Sequence, residues 1–206
     1  MEIVCLDLEG VLVPEVWINV AEATGIAELR LTTRDLSDYD ELMRHRLRVL
    51  AAHGLRLGDL TAVIGRMAPL PGAAEFTAWL KRHFQLIVLS DTFYDFAAPL
   101  MAALDHPVLL CHNLVTDADG RITDYRLRLP NQKQAAVAAL QGLNLTVFAA
   151  GDSYNDTAML GQADFGCLFR PPAKVAAEFP DLPTADGYTA LADHFRAASS
   201  RLVPPL

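Results

Sequence analysis

The sequence predicts an α/β protein: a doubly wound parallel sheet with helices on both sides, an inserted helical cap after the first strand, and a β-hairpin at the sheet edge. Three observations predict it. Short apolar runs alternate with helical patterns along most of the chain. Three of those runs end in polar, chemically capable residues, and one long stretch after the first run carries helical patterns but no good strand.

The strand candidates come in order as Ile3-Val4-Cys5-Leu6 before Asp7, Leu86-Ile87-Val88-Leu89 before Ser90-Asp91, and Thr146 to Ala150 before Gly151-Asp152, with Phe165 to Phe169 as a fourth. Unbroken apolar runs of this length suit strands buried on both faces of a parallel sheet. Between and after them, helical spacing covers Gly72 to His83, Phe93 to Leu104, Asn131 to Leu140, Asn155 to Ala163 and Tyr188 to Ser200. Residues 15–70 hold about three helical segments, which predicts a core of residues 1–14 plus 71–206 and a cap of residues 15–70. Val108 to His112 and Arg121 to Leu129 flank an Asp119-Gly120 turn and predict the hairpin.

The 206 residues suffice for one domain with an insertion. With 52% hydrophobic and 20% charged residues, the chain is not intrinsically disordered. A formal net charge of −8 argues against a nucleic-acid partner. No apolar run is long enough to span a bilayer, and the first residues lack a basic segment, so no membrane partner and a cytoplasmic location are expected. Cys5, Cys111 and Cys167 are widely spaced and predict reduced thiols rather than a disulfide framework or zinc site. The sequence is compatible with a monomer or a homodimer.

In a doubly wound sheet, ligands bind beyond the carboxyl ends of the strands, where Asp7, Ser90 and Asp152 all fall. Asp7-Leu8-Glu9-Gly10 sets two carboxylates two residues apart beside a glycine that permits close backbone approach. That pattern suits a nucleophile with a general acid, or a Mg²⁺ ligand beside a proton carrier, although acids are also ordinary loop residues. Gly151-Asp152-Ser153-Tyr154-Asn155-Asp156 exceeds what helix capping needs, and a hard cation would explain its oxygens. Ser90-Asp91-Thr92 suits a phosphate at a helix N-terminus, or simple capping. Lys133 sits in the first turn of a helix, the unfavourable end for a cation, which implies a nearby anion. Arg46 falls within the apolar stripe of Leu42, Met43, Val49 and Leu50 and so needs a carboxylate partner, from the protein or from a substrate. Glu15 after Pro14 reads as a first-turn acid.

Taken together these residues make a phosphate-chemistry site, with a nucleophilic Asp, Mg²⁺ held by carboxylates, and Ser and Lys to neutralise charge, and their order, Asp-x-Glu first, Ser second, Lys third and Gly-Asp-x-x-x-Asp last, is more specific than any one piece. With these residues the chain resembles the haloacid dehalogenase superfamily, and its helical insertion with Glu15 and Arg46 resembles the phosphoserine phosphatase branch. The resemblance implies Asp7 as nucleophile and Glu9 as general acid/base. It implies Mg²⁺ on Asp7, the Glu9 backbone carbonyl and Asp152, with Asp156 supporting the metal shell or orienting Lys133. Ser90, Lys133, Asn155 and the Gly10 N–H would hold phosphate oxygens, with Asp91 also in the substrate-binding set. Glu15 would take a substrate ammonium and Arg46 a carboxylate. The implied substrate is O-phospho-L-serine, with homoserine as a further phosphoryl acceptor. Glu9 stands where most of these phosphatases have Asp, and Asp91 where most phosphoserine phosphatases have Gly. Another small phosphomonoester is the alternative substrate. A receiver-type phospho-aspartate module is disfavoured by the Asp-x-Glu spacing and the insertion. A dinucleotide oxidoreductase is disfavoured by the absent Gly-x-Gly-x-x-Gly turn.

Overall fold

The computed structural model describes residues 1–32, 35–36 and 38–206. Strand β1 (Glu2–Leu6) is buried along its whole length. Three helices follow, α1 (Val16–Thr24), α2 (Tyr39–Ala52) and α3 (Leu57–Ile64), before α4 (Ala73–His83) and β2 (Gln85–Phe93) return the chain to the sheet. Then come α5 (Tyr94–Ala103), β3 (Val108–Thr116), β4 (Ile122–Arg126), α6 (Gln132–Gly142), β5 (Thr146–Gly151), α7 (Thr157–Gln162), β6 (Phe165–Phe169), α8 (Ala173–Glu178), β7 (Thr184–Ala185) and α9 (Tyr188–Ala198).

Among the described residues the seven strands lie in the order β4-β3-β2-β1-β5-β6-β7. All pairings are parallel except β3 with β4. The twofold alternation of side chains assigns successive residues of β1 to opposite cores. Val4 and Leu6 join Phe76, Trp79 and Phe195 of α4 and α9 on one face, whereas Ile3 and Cys5 join Val137, Met159 and Val175 of α6, α7 and α8 on the other. The chain moves outward from β1 through β2 to β3, then crosses back to β5 and β6. Strand order therefore reverses at β1 and β5, and a ligand crevice opens beyond their carboxyl ends, where Asp7 and Asp152 stand.

Residues of the helical stretch pack on α5, where Trp17 meets Phe96 edge-on, and on the hairpin. Arg44 of α2 pairs with Asp124 at 2.8 Å, Tyr125 donates to Asp40, and the Leu57 N–H donates to Gly120 O at 2.9 Å. The cysteines are free and buried. Among the described residues, no helix is long and apolar enough to cross a membrane.

One local expectation changes. Ser90-Asp91-Thr92 lies within β2 and not at a helix N-terminus, because the strand continues to Phe93, opposite His112, after a register shift, and α5 starts only at Tyr94. The short α8 and β7 carry too few residues to show periodicity in the sequence.

Candidate active site

One polar cleft is lined by Asp7, Glu9, Ser90, Asp91, Lys133, Asp152, Ser153 and Asn155 from the sheet side, and by Glu15, Trp17, Thr32, Tyr39 and Arg46 from the helical segment. Asp7 directly follows β1 and is 4% exposed, its N–H held by Ala150 O at 3.0 Å. Asp7, Asp152 and Asp156 place carboxylate oxygens within 4.8 Å of one another. Lys133, 3% exposed, reaches Asp156 Oδ1 at 2.8 Å, Asp7 Oδ1 at 3.0 Å and Asp91 Oδ2 at 3.6 Å. The anions that its place in the helix implied are thus three protein carboxylates. The other oxygen of Asp156 accepts the N–H groups of Asp152 and Ser153 at 3.0 and 3.2 Å.

Two glycines make this crowding possible. Gly10 has φ +77°, and a Cβ there would stand 2.6 Å from the Asp152 carboxylate. At Gly151 it would stand 2.3 Å from Asp156 Cβ. Either alanine would have to displace an acid of the cluster.

Glu9 Oε2 accepts the Val16 N–H at 2.8 Å. The first turn of α1 is therefore capped by Glu9, whereas Glu15, the residue that precedes the helix, makes no side-chain cap and faces the cleft. Arg46 is 7% exposed and lies over the Trp17 ring, 4.5 Å from its centre. Its guanidinium donates to Leu31 O at 3.0 Å and contacts Met43 Sδ, but its buried Nε has no hydrogen-bond partner among the described residues. Ser90 is buried, and its Oγ accepts the Thr92 N–H at 3.2 Å. Asn155 donates to Asp91 Oδ2 at 3.1 Å.

The profile of the haloacid dehalogenase-like hydrolases matches residues 11–161. The chain belongs to that family. It is also 54% identical, over 98% of its length, to a protein of Pseudomonas aeruginosa named phosphoserine phosphatase ThrH, of which it covers 98%. A phosphoserine phosphatase of Pseudomonas syringae pv. tomato is likewise 54% identical and covered to 85%. A solved substrate-bound phosphoserine phosphatase superimposes with a TM-score of 0.76 at 19% identity, over 95% of this chain and 97% of that one.

In this haloacid dehalogenase-like chain the electrostatics of the cleft follow from crowding. Burial pushes the Asp7 carboxyl well above its usual range, Asp156 and Asp152 push the same way, and Lys133 opposes them. For Lys133 burial lowers the affinity for its proton, but Asp156, Asp7 and Asp91 outweigh it, and the net shift is upward. Burial would raise Asp91 too, yet Lys133, His112, Asn155 and Gln132 hold it far below the ordinary carboxylate range. Burial lowers Arg46 to about 10.

Glu9 is pushed up to about 7, first by burial and then by Glu15, against the Val16 N–H, Arg46 and Thr92. A carboxyl raised on folding contributes stability that is present below its unfolded value, 4.5, and is lost as pH rises through about 7. The metal-free protein is therefore expected to lose stability relative to Glu9→Gln as pH rises across that window. Urea midpoints of both proteins check this, and a difference that stays flat with pH would refute it.

The Gly10 N–H, implied for a phosphate oxygen, donates to Val13 O at 2.8 Å as the tight turn after Glu9 closes on itself. Sequence reasoning missed Trp17, Tyr39, His112 and Gln132. Of these, His112 ends the apolar run of β3 as Asp7 ends that of β1, and this signal was present in the sequence.

Proposed function

We propose that the protein is a phosphoserine phosphatase that hydrolyses O-phospho-L-serine through an aspartyl phosphate on Asp7 and also passes the phosphoryl group to homoserine. The observation that carries the substrate class is Arg46: a buried guanidinium, with one N–H unsatisfied among the described residues, lines the same cleft as Glu15, Asp7, Ser90 and Lys133. A phosphomonoester bearing both a carboxylate and an ammonium group satisfies both ends. The names of the relatives that are 54% identical to this chain over 201 residues, both phosphoserine phosphatases, support the phosphatase half of this reading.

Asp7 attacks phosphorus, and the bond from phosphorus to the serine oxygen breaks. Protonated Glu9 supplies the proton that the departing oxygen needs. Glu9, now anionic, then takes a proton from water or from the homoserine hydroxyl as that oxygen attacks the aspartyl phosphate. Ser90, Lys133 and Asn155 hold the transferring oxygens. The donor set fits a hard cation, since three buried carboxylates converge and each is an oxygen donor. Asp7, Asp152 and the Glu9 carbonyl would hold Mg²⁺, while Asp156, with both oxygens engaged by Lys133 and backbone N–H groups, would stay behind them. Bound there, Mg²⁺ would neutralise charge on the phosphoryl oxygens. In this reading residues 15–70 form a cap over a core of residues 1–14 plus 71–206, and the enzyme acts on small molecules in the cytoplasm.

The test is one reaction of purified protein with phosphoserine and Mg²⁺, with and without homoserine, and with excess chelator. Phosphate release that homoserine diverts into phosphohomoserine, and that chelation stops, is the expected result. Release that homoserine leaves untouched would remove the transferase half. No release at all would move the substrate to another phosphomonoester.

A further inference from the structure

His112 ends the buried run of β3 and is 3% exposed, with the rings of Tyr39 and Phe93 packed around it. Its Nδ1 accepts the Arg128 N–H at 3.1 Å. A nitrogen that accepts carries no proton, so this bond assigns the neutral ring's proton to Nε2. Nε2 faces Asp91 Oδ1 at 3.4 Å. Gln132 closes on the same oxygen at 3.2 Å, also donates to Ser90 O, and is held in turn by Arg128 Nε at 3.1 Å. Arg128 thus anchors both donors, through its backbone and through its side chain.

The two oxygens of Asp91 face different ways. Oδ1 points to His112 and Gln132, while Oδ2 meets Asn155 Nδ2 at 3.1 Å and Lys133 Nζ at 3.6 Å. Asn155 and Lys133 are two of the groups that the reading above assigns to the phosphoryl oxygens. A loosely held carboxylate at this point would compete with a phosphate for both of them. Clamped from behind, it braces them instead.

We propose that His112 is a positioning residue: by fixing Asp91, it sets where Asn155 and Lys133 present their N–H groups to a phosphoryl group. The inference rests on the phosphatase reading, and its test separates the two. His112→Phe keeps a ring between Tyr39 and Phe93 but removes the donor to Asp91. It should lower kcat/KM for phosphoserine about tenfold, mainly through KM, and weaken the binding of inorganic phosphate to the Mg²⁺-loaded enzyme in proportion. His112→Gln restores a donor and should recover activity to within about threefold of the wild type. In an Asp91→Gly background the Phe substitution should change kcat/KM by less than about twofold, because the residue through which it acts is gone.

Equal losses with and without Asp91, or unchanged KM and phosphate binding, would overturn the proposal. If the wild type releases no phosphate from phosphoserine, the functional reading fails, and calorimetric titration with inorganic phosphate still decides on His112. Nitrogen NMR of the wild type needs no variant to fold: it should show the Nε2–H tautomer, with a resonance that moves on phosphate addition, and an Nδ1–H tautomer would refute the arrangement.

Discussion

Asp7→Asn is expected to lower phosphate release from phosphoserine by about four orders of magnitude or more, the loss typical of removing a covalent nucleophile. The amide keeps the shape and can still accept a hydrogen bond from Lys133, which lies 3.0 Å from Asp7 Oδ1. It cannot attack phosphorus as an anion. Stability should move the other way. Burial and the neighbouring Asp156 and Asp152 raise the Asp7 carboxyl far above its normal value. Such a group stabilises the fold only below its unfolded pKa of 3.8, and that contribution is lost as pH rises through the folded value. At neutral pH without metal, the asparagine variant should therefore melt no lower than the wild type, and above it if repulsion among the acids dominates. Phosphate assays and melting in chelator measure both effects. Activity within about tenfold of the wild type would place the nucleophile elsewhere, and a lower melting temperature would make Asp7 chiefly an anchor for Lys133.

The second large effect belongs to Arg46. Arg46→Ala should cut kcat/KM for phosphoserine by on the order of a hundredfold to a thousandfold, carried by KM, because it deletes the buried partner proposed for the substrate carboxylate. O-phosphoethanolamine, which has the ammonium but no carboxylate, is the control, and with it the same substitution should change kcat/KM by less than about threefold. Arg46→Lys should fall between, since it keeps the charge and loses the planar fork. The control matters because Arg46 also lies over Trp17 and donates to Leu31 O, so truncation removes packing as well. Equal losses on both substrates would mean that Arg46 shapes the cleft without reading the carboxylate.

Much of the fold was legible because parallel strands covered on both faces leave a plain signature. Ile3 to Leu6, Leu86 to Leu89 and Thr146 to Ala150 all became strands, and Asp7, Ser90 and Asp152 beyond those runs line one crevice. Asp7, Glu9, Ser90, Lys133, Asp152 and Asn155 could be gathered before the structure because local motifs carry them. What escaped depends on distance along the chain. Gln132 meets Asp91 across 41 residues, and Tyr39 donates to Asp91 O across 52, so neither has a local pattern. The bond from the Gly10 N–H to Val13 O left no signal in the sequence, because the closing of that turn is a backbone event that side-chain spacing cannot report. His112 is different. Its strand obeys the same rule as the other three, but the nearby Asp-Gly turn drew β3 into the hairpin and away from the row of strand ends.

The bond from Glu9 to the first N–H of α1 has an engineering consequence. A segment that enters and leaves a host fold at two neighbouring points is ordinarily exchangeable, like a cassette. In the proposed division into cap and core, one end of the cassette is soldered to the side chain proposed to move the proton. The helix fixes the reach of that side chain at one end, and the proposed proton transfer sets it at the other. A graft of residues 15–70 from a donor with aspartate at the equivalent of Glu9 would arrive with a helix start set for a shorter reach. Residue 9 must travel with the insertion, although the chain places it in the host.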